Sequence, residues 1–226
     1  MRDTPGSVML FAAGFGTRMG ALTADRPKPL IEVAGKPLID HALALIEGYG
    51  ATRIVANLHY KPDMLEQHLA GTGVLFSHET PDILETGGGL RAALPLLGEG
   101  PHFTMNTDAV WRGPNPLTHL ARLWHPGQMD ALLLCVPPAQ AVGHKGGGDF
   151  VLGDAGRITR GPGLIYTGVQ IIKPDLLHEI EDRVFSLNMV WDKMLSQGRL
   201  FGAEYPGHWC DVGHPGGIAL AEDMLE

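Results

Sequence analysis

Cysteine is nearly missing from this sequence, with only Cys135 and Cys210 among 226 residues. Two cysteines so far apart form neither a disulfide framework nor the close pairs of a zinc site, so two free thiols in a reducing compartment are expected. Long apolar runs are missing as well: stretches such as Ala131 to Val136 fall far short of the roughly 20 residues that span a bilayer. Met1 to Gly6 are polar and turn-forming, without the basic start and apolar stretch of a secretory signal, and a cytoplasmic protein is expected. Cations are in deficit. Lys and Arg number 17 against 25 Asp and Glu, a formal net charge of -8, which argues against a general nucleic-acid surface because backbone binding needs clustered cations. The 11 histidines include no His-Glu-x-x-His or comparable ligand spacing. His41, His59, His68, His119 and His178 read as surface or packed residues. No internal repeat or low-complexity tract is present.

What the sequence does have is an alternation of short apolar runs with helical patterns. Val8 to Ala12, Leu38 to Tyr49, Arg53 to Asn57, Pro62 to Leu69 and Val74 to Ser77 follow one another in the first half, which implies parallel strands joined by crossover helices. A helix opening near Thr86, a strand at Phe103 to Asn106, a helix around Pro116 to Trp124 and the continuous apolar strand Ala131 to Val136 continue the pattern. The expectation is one α/β domain over 1–226 with a mostly parallel central sheet. After Pro137 glycines punctuate short strand-like pieces, and 137–172 reads as a set of hairpins laid over one end of the sheet. Helices around Asp175 to Ile180, Leu187 to Gln197 and Pro215 to Leu225, with a strand near Leu200 to Glu204, would close the fold.

The first strand runs into Ala13-Gly14-Phe15-Gly16-Thr17-Arg18. A glycine-rich turn at the carboxyl end of a strand lies where open α/β folds bind ligands, and its backbone N–H groups can converge on phosphate oxygens. Neither familiar glycine motif fits. The P-loop requires Gly-Lys followed by Ser or Thr, and the dinucleotide fingerprint requires a long helix directly after the glycines, for which Pro27 and Pro29 leave little room. The loop carries Arg18, Arg26 and Lys28 instead, so side chains must supply most of the positive charge. A guanidinium suits bidentate capture of a pyrophosphate, and a compact ammonium suits the phosphorus under attack.

Two aspartates stand out for metal chemistry. Asp108 follows the apolar strand Phe103-Thr104-Met105-Asn106, at the same end of the sheet as the glycine loop. Asp211 lies in the turn-rich segment Gly207 to Gly213. Each serves equally well, on local grounds, as a cap before a helix or turn. Phosphoryl-type transfer commonly uses magnesium held by one or two carboxylates plus substrate oxygens.

The stretch Leu10-Phe11-Ala12-Ala13-Gly14-Phe15-Gly16-Thr17-Arg18-Met19, then Leu22-Thr23, Arg26-Pro27-Lys28-Pro29-Leu30 and Gly35-Lys36-Pro37-Leu38-Ile39, resembles the signature of sugar-1-phosphate nucleotidyltransferases. The likeness runs almost to the C-terminus. It implies a Rossmann-like nucleotidyltransferase fold and a Mg²⁺-dependent reaction between a nucleoside triphosphate and a sugar 1-phosphate that releases pyrophosphate. The resemblance gives Ala13, Gly14, Gly16 and Thr17 to the nucleotide and makes Arg18, Lys28 and Asp108 catalytic. It makes Asp108 and Asp211 metal ligands and adds Asn106 to the binding residues. Many relatives carry glycine where Thr107 precedes the aspartate. The segment Glu85-Thr86-Gly87-Gly88-Gly89 resembles the uridylyltransferase branch, which acts on N-acetylmuramic acid 1-phosphate or related sugars in cell-wall sugar recycling. That implies UTP as the nucleotide, with Thr86, Gly87 and Glu79 at the base, and Asp149 and Gly168 at the sugar.

Three alternatives stay open at this point. Thymidylyl, guanylyl or cytidylyl transfer to another phosphate is the nearest, followed by a catalytically silent nucleotide-sugar sensor, which Thr107 motivates. A dinucleotide-dependent oxidoreductase fits poorly without the helix after the glycines. A monomer or small homo-oligomer is expected, with no nucleic acid or membrane partner. His144 and His208 lie near the inferred site without an assigned role.

Overall fold

The computed structural model describes residues 4–226, so the reading of the N-terminal residues falls in part, at Met1 to Asp3, outside the described residues. Fourteen strands and six α-helices follow in the order β1 Ser7–Phe11, β2 Glu32–Val33, β3 Lys36–Pro37, α1 Leu38–Tyr49, β4 Arg53–Leu58, α2 Pro62–His68, β5 Leu75–His78, α3 Glu85–Leu97, β6 His102–Asn106, β7 Ala109–Arg112 and α4 Pro116–Leu123. The chain continues through β8 Ala131–Val136, β9 Ala141–Val142, β10 Phe150–Leu152, β11 Ile158–Arg160, β12 Ile165–Ile172, α5 Leu187–Ser196, β13 Leu200–Glu204, β14 His208–Asp211 and α6 Gly216–Leu225.

Seven strands form the central sheet in the order β13-β8-β12-β6-β1-β4-β5. β1 pairs in parallel with both β4 and β6, as β4 does with β5 and β8 with β13. Only β12 runs against its neighbours, antiparallel to β6 and to β8. The strands are apolar on both faces because helices cover both. In β8, Leu132, Leu134 and Val136 face the core under α1 and α4, while Ala131, Leu133 and Cys135 face the core under α3 and α5. A third, smaller core joins α6 to Met19, Val110, Cys210 and Val212. Both cysteines are buried free thiols, and burial raises Cys210 to about 11, which keeps it protonated and inert.

The helix boundaries follow local chemistry. Asn115 caps α4 by accepting from the N–H groups of Leu117 and Thr118, with Pro116 at the first helical position. Ser186 caps α5, and Gly50, at φ 84°, ends α1. The loop after β1 forms only short 3₁₀ turns at Thr17–Thr23 and Lys28–Leu30, in keeping with the two prolines.

The stretch read as hairpins divides into three parts. β10 and β11 do form a hairpin, but β9 pairs with β14 in a separate three-stranded sheet, and β12 is a strand of the central sheet. Ile165 to Ile172 is buried at all positions except the half-buried Tyr166; four aliphatic residues make it apolar enough for the interior, and its polar Thr167 and Gln170 are hydrogen-bonded there. Asp175 to Ile180 is likewise not an α-helix; Asp175–Glu179 forms a 3₁₀ turn.

Candidate active site

The carboxyl ends of β1, β4 and β6 open onto a cleft built from two adjoining cavities. The first, about 340 Å³, is lined by the glycine loop, Lys28, Asn57, Glu79, Thr86 and Asp108. The second, about 270 Å³, is lined by Asp149, Phe150, Arg160, Tyr166, Asn188 and Trp191 among others. Phe11, Glu85, Thr86 and Asn106 border both, so the two are one continuous groove.

The loop at the first cavity is held open by its glycines. Gly16 has φ 63°, and a Cβ there would meet Lys28 Cβ and Thr23 Cγ2 at 2.9 Å, so no other residue fits without displacing Lys28. Gly14 is bare, with no protein atom within 4 Å of a would-be Cβ. The N–H groups of Gly14, Phe15 and Gly16 donate to no protein atom among the described residues. Gly14 and Gly16 line the first cavity, and unpaired amides on a concave surface are suited to phosphate oxygens. The loop is braced from outside: Thr23 Oγ1 donates to the carbonyls of Gly16 and Gly20, Tyr60 donates to the Thr23 carbonyl, and Phe15 packs edge-on to His59.

Lys28 is largely buried, and its Nζ lies 2.7 Å from Asp108 Oδ2. Asp108 leaves the end of β6, and Thr107 beside it donates its hydroxyl to the Phe11 carbonyl at 2.8 Å. Thr107 thus ties β6 to β1 and leaves Asp108 on the cavity wall. Asp211, at the end of β14, pairs across strands with Ala109, and the Val212 N–H donates to the Asp108 carbonyl. This brings the two aspartates together from positions 103 residues apart in sequence. Burial and then the Asp108 charge push the Asp211 carboxyl upward, against the opposing pull of Lys28, Arg18 and His144. A carboxylate whose charged form is disfavoured by burial and by a neighbouring carboxylate is a fitting seat for a hard divalent cation, which takes oxygen ligands. No cluster of three or more candidate metal ligands exists among the described residues, so substrate and water oxygens would complete such a shell.

The base-side expectations fare unevenly. Glu79 is buried on the wall of the first cavity, one oxygen accepting from Asn57 Nδ2 at 2.7 Å and the other from the Leu84 N–H at 2.7 Å. Asn57 in turn accepts from the Ala12 N–H at 2.8 Å. Asn57 was not among the expected residues, although a polar residue ending an apolar strand at this end of the sheet was the signal for it. Thr86 lines both cavities and accepts from the Leu187 N–H. Gly87 does not line the groove. The N–H groups of Gly87 and Gly88 both donate to the Phe185 carbonyl, and a Cβ at Gly87 would sit 2.4 Å from the Phe185 ring. A Cβ at Gly89 would sit 2.5 Å from Glu79 Oε1. The three glycines therefore admit neighbouring chain to the first turn of α3, and Gly87 is displaced from its expected place at the base.

On the sugar side, Asp149 lines the second cavity and spends one oxygen on the Tyr166 N–H. Gly168 is taken up otherwise. It lies at φ 84° in the irregular stretch of β12, where a Cβ would meet Asn106 Nδ2 at 2.6 Å, so the space it leaves holds the Asn106 side chain rather than a ring. Trp191, Tyr166 and Phe150 form the wall, with Tyr166 edge-on to Trp191 at 5.0 Å. Trp191 Nε1 donates to Gln170, which donates to Thr104, a buried chain that fixes the indole.

The MobA-like NTP transferase domain is the family whose sequence model matches, over residues 8–147. The chain belongs to that family. Among relatives of this MobA-like transferase, the N-acetylmuramate alpha-1-phosphate uridylyltransferase of Caulobacter vibrioides is 38% identical, the alignment covering 100% of this chain and 99% of the relative. The enzyme of that name from Neisseria meningitidis serogroup B is 36% identical, over 91% of this chain and 92% of its own. The fold is also seen in solved structures. HddC from Yersinia pseudotuberculosis complexed with GMP-PN superposes with a TM-score of 0.78 at 20% identity, over 97% of this chain and 99% of that one. The inositol-1-phosphate CTP transferase of T. maritima gives 0.77 at 18% identity, over 100% and 98%. No helix among the described residues is long and apolar enough to cross a membrane.

Proposed function

We propose that this transferase carries the uridylyl group of UTP to N-acetylmuramic acid 1-phosphate, forming the UDP-sugar and pyrophosphate in the cytoplasm as part of cell-wall sugar recycling. The observation that carries this reading is the full-length similarity to two uridylyltransferases of that name, on a chain whose groove is made of two adjoining cavities.

An oxygen of the sugar 1-phosphate attacks the α-phosphorus of UTP in line; the new P–O bond forms as the bond to the pyrophosphate oxygen breaks. No protein nucleophile is needed, because the attacking phosphate is already ionised, and catalysis rests on positioning and electrostatics. The free N–H groups of Gly14, Phe15 and Gly16 take phosphate oxygens, with Ala13 and Thr17 completing the loop. Arg18 grips the departing pyrophosphate bidentately. Lys28 turns from Asp108 to the charge that develops at the α-phosphate. Asp108 and Asp211 would hold Mg²⁺, which when bound neutralises phosphate charge. Glu79, through Asn57, shapes the base end, while Thr86 and Asn106 border both substrates and Asp149 accepts from sugar hydroxyls. The active species is a monomer or small homo-oligomer.

The test is pyrophosphate release by the purified protein with Mg²⁺, across four nucleoside triphosphates and a panel of sugar 1-phosphates. Release requiring UTP and N-acetylmuramic acid 1-phosphate together is expected. Release with another pair would reassign the substrates, and nucleotide binding without release from any pair would overturn the catalytic reading in favour of a sensor.

A further inference from the structure

The second cavity carries a charge that a neutral sugar does not call for. Among the described residues lining it, Arg160 is the one cation. Its guanidinium is oriented by stacking, 4.9 Å from the centre of the Phe150 ring and 5.7 Å from Trp191, both of them wall residues. Register fixes this arrangement, since Arg160 lies directly across the β10–β11 hairpin from Phe150. Nε and Nη2 both donate to a single oxygen of Asp192, while Nη1 has no protein partner. Asp192 is 64% exposed and does not line the cavity, so its hold on Arg160 comes from the solvent side and is well screened.

We infer that Arg160 is the specificity-determining residue of the sugar cavity, taking the carboxylate of an acidic substituent on the sugar ring. The planar fork matches a carboxylate with two parallel hydrogen bonds, and its orientation is set before the ligand arrives, so little entropy is lost on binding. Glu85 and Asp149 stand on the same walls, and their like charge steers an acidic group away from them and toward Arg160. The 1-phosphate of the same substrate belongs at the border with the first cavity, beside Asn106. The inference rests on the uridylyl-transfer reading above and deepens it, because N-acetylmuramic acid differs from N-acetylglucosamine by a lactyl ether ending in a carboxylate.

The experiment compares wild type with Arg160→Gln on UTP with N-acetylmuramic acid 1-phosphate and with N-acetylglucosamine 1-phosphate. The ratio of acidic to neutral kcat/KM is expected to fall about tenfold or more in the variant, mostly through KM for the acidic sugar, the loss anticipated for one charge-assisted bond. Arg160→Lys, keeping charge without the fork, should recover part of the ratio. A parallel loss on both sugars, as a purely structural or phosphate-binding role would give, overturns the inference, as does an unchanged ratio. If the wild type transfers uridylyl to neither sugar, the functional reading fails separately. Calorimetric binding of the two sugar phosphates to wild type and Arg160→Gln then still decides on the arginine: loss of a preference for the acidic sugar supports its role, and an unaltered ratio of affinities overturns it.

Discussion

The two ends of the groove are built on different physical principles. At the phosphate end, charges of both signs face one another at close range: Lys28 on Asp108, Asp108 near Asp211, and bare amides alongside. At the sugar end, three aromatic rings make the wall and one cation stands among them. The first arrangement is poised to stabilise charge that moves during a reaction. The second is poised to recognise shape, with selectivity from a single polar anchor. Substitutions at the first end should therefore change turnover, and those at the second the choice of sugar.

Removing charge at the phosphate end gives the largest expected effect. Lys28→Ala and Asp108→Asn should each lower kcat by about 10²–10³-fold, the usual cost of losing one preorganised electrostatic partner. The thermal midpoint and the KM for sugar phosphate should stay close to wild type; steady-state kinetics with circular dichroism would check this. Near-normal turnover in either folded variant would erase the distinction between the two ends. A smaller effect is expected from Gly89→Ala, whose added methyl would press on Glu79 Oε1 at 2.5 Å and Asn57 Nδ2 at 3.0 Å. Overpacking of this kind costs about 1–3 kcal/mol. Because Glu79 and Asn57 brace the nucleotide end, KM for UTP should rise more than KM for the sugar; the reverse would place Gly89 with the sugar wall.

The smallest effect comes from outside the groove. His102, at the far end of β6, is fully buried beside Ser7, and burial lowers it from 6.5 to about 4. A base depressed in the folded state favours folding when neutral. Its contribution is complete above pH 6.5 and is lost as pH falls toward 4, at up to about 1.4 kcal/mol for each pH unit. Denaturant melts of wild type and His102→Asn over that window should show the steeper decline in wild type. The ratio of acidic to neutral sugar use should not follow His102; a coupled change would mean that the ends of the sheet communicate.

The phosphate end was legible in the sequence because much of it is contiguous. A strand, a glycine turn and two spaced cations within residues 8–30 place most of its parts, and Asp108 is found by following the next apolar strand to its end. The sugar wall is drawn from 149–150, 160, 166 and 186–191, short pieces whose meeting depends on tertiary packing, and Arg160 gave no local sign of its place. The same reason explains Gly87 and Gly168. Glycine announces that something approaches closely, but not whether it is a ligand, the Phe185 ring or the Asn106 side chain. For the fold, period and run length identified the parallel strands, whereas the glycines and prolines before Ile165 drew the reading of β12 toward a surface hairpin.

That strand has a consequence for how the chain can be cut. β12 lies between β6 and β8, so a fragment ending at residue 147, the boundary of the family match, would lack the strand that joins β8 to the rest of its own sheet. β8 would be made and left detached from β6, both with open edges along their buried lengths. On the ribosome β8 cannot be joined to β6 until Ile172 has emerged, and the outermost strand β13 follows only at Leu200–Glu204.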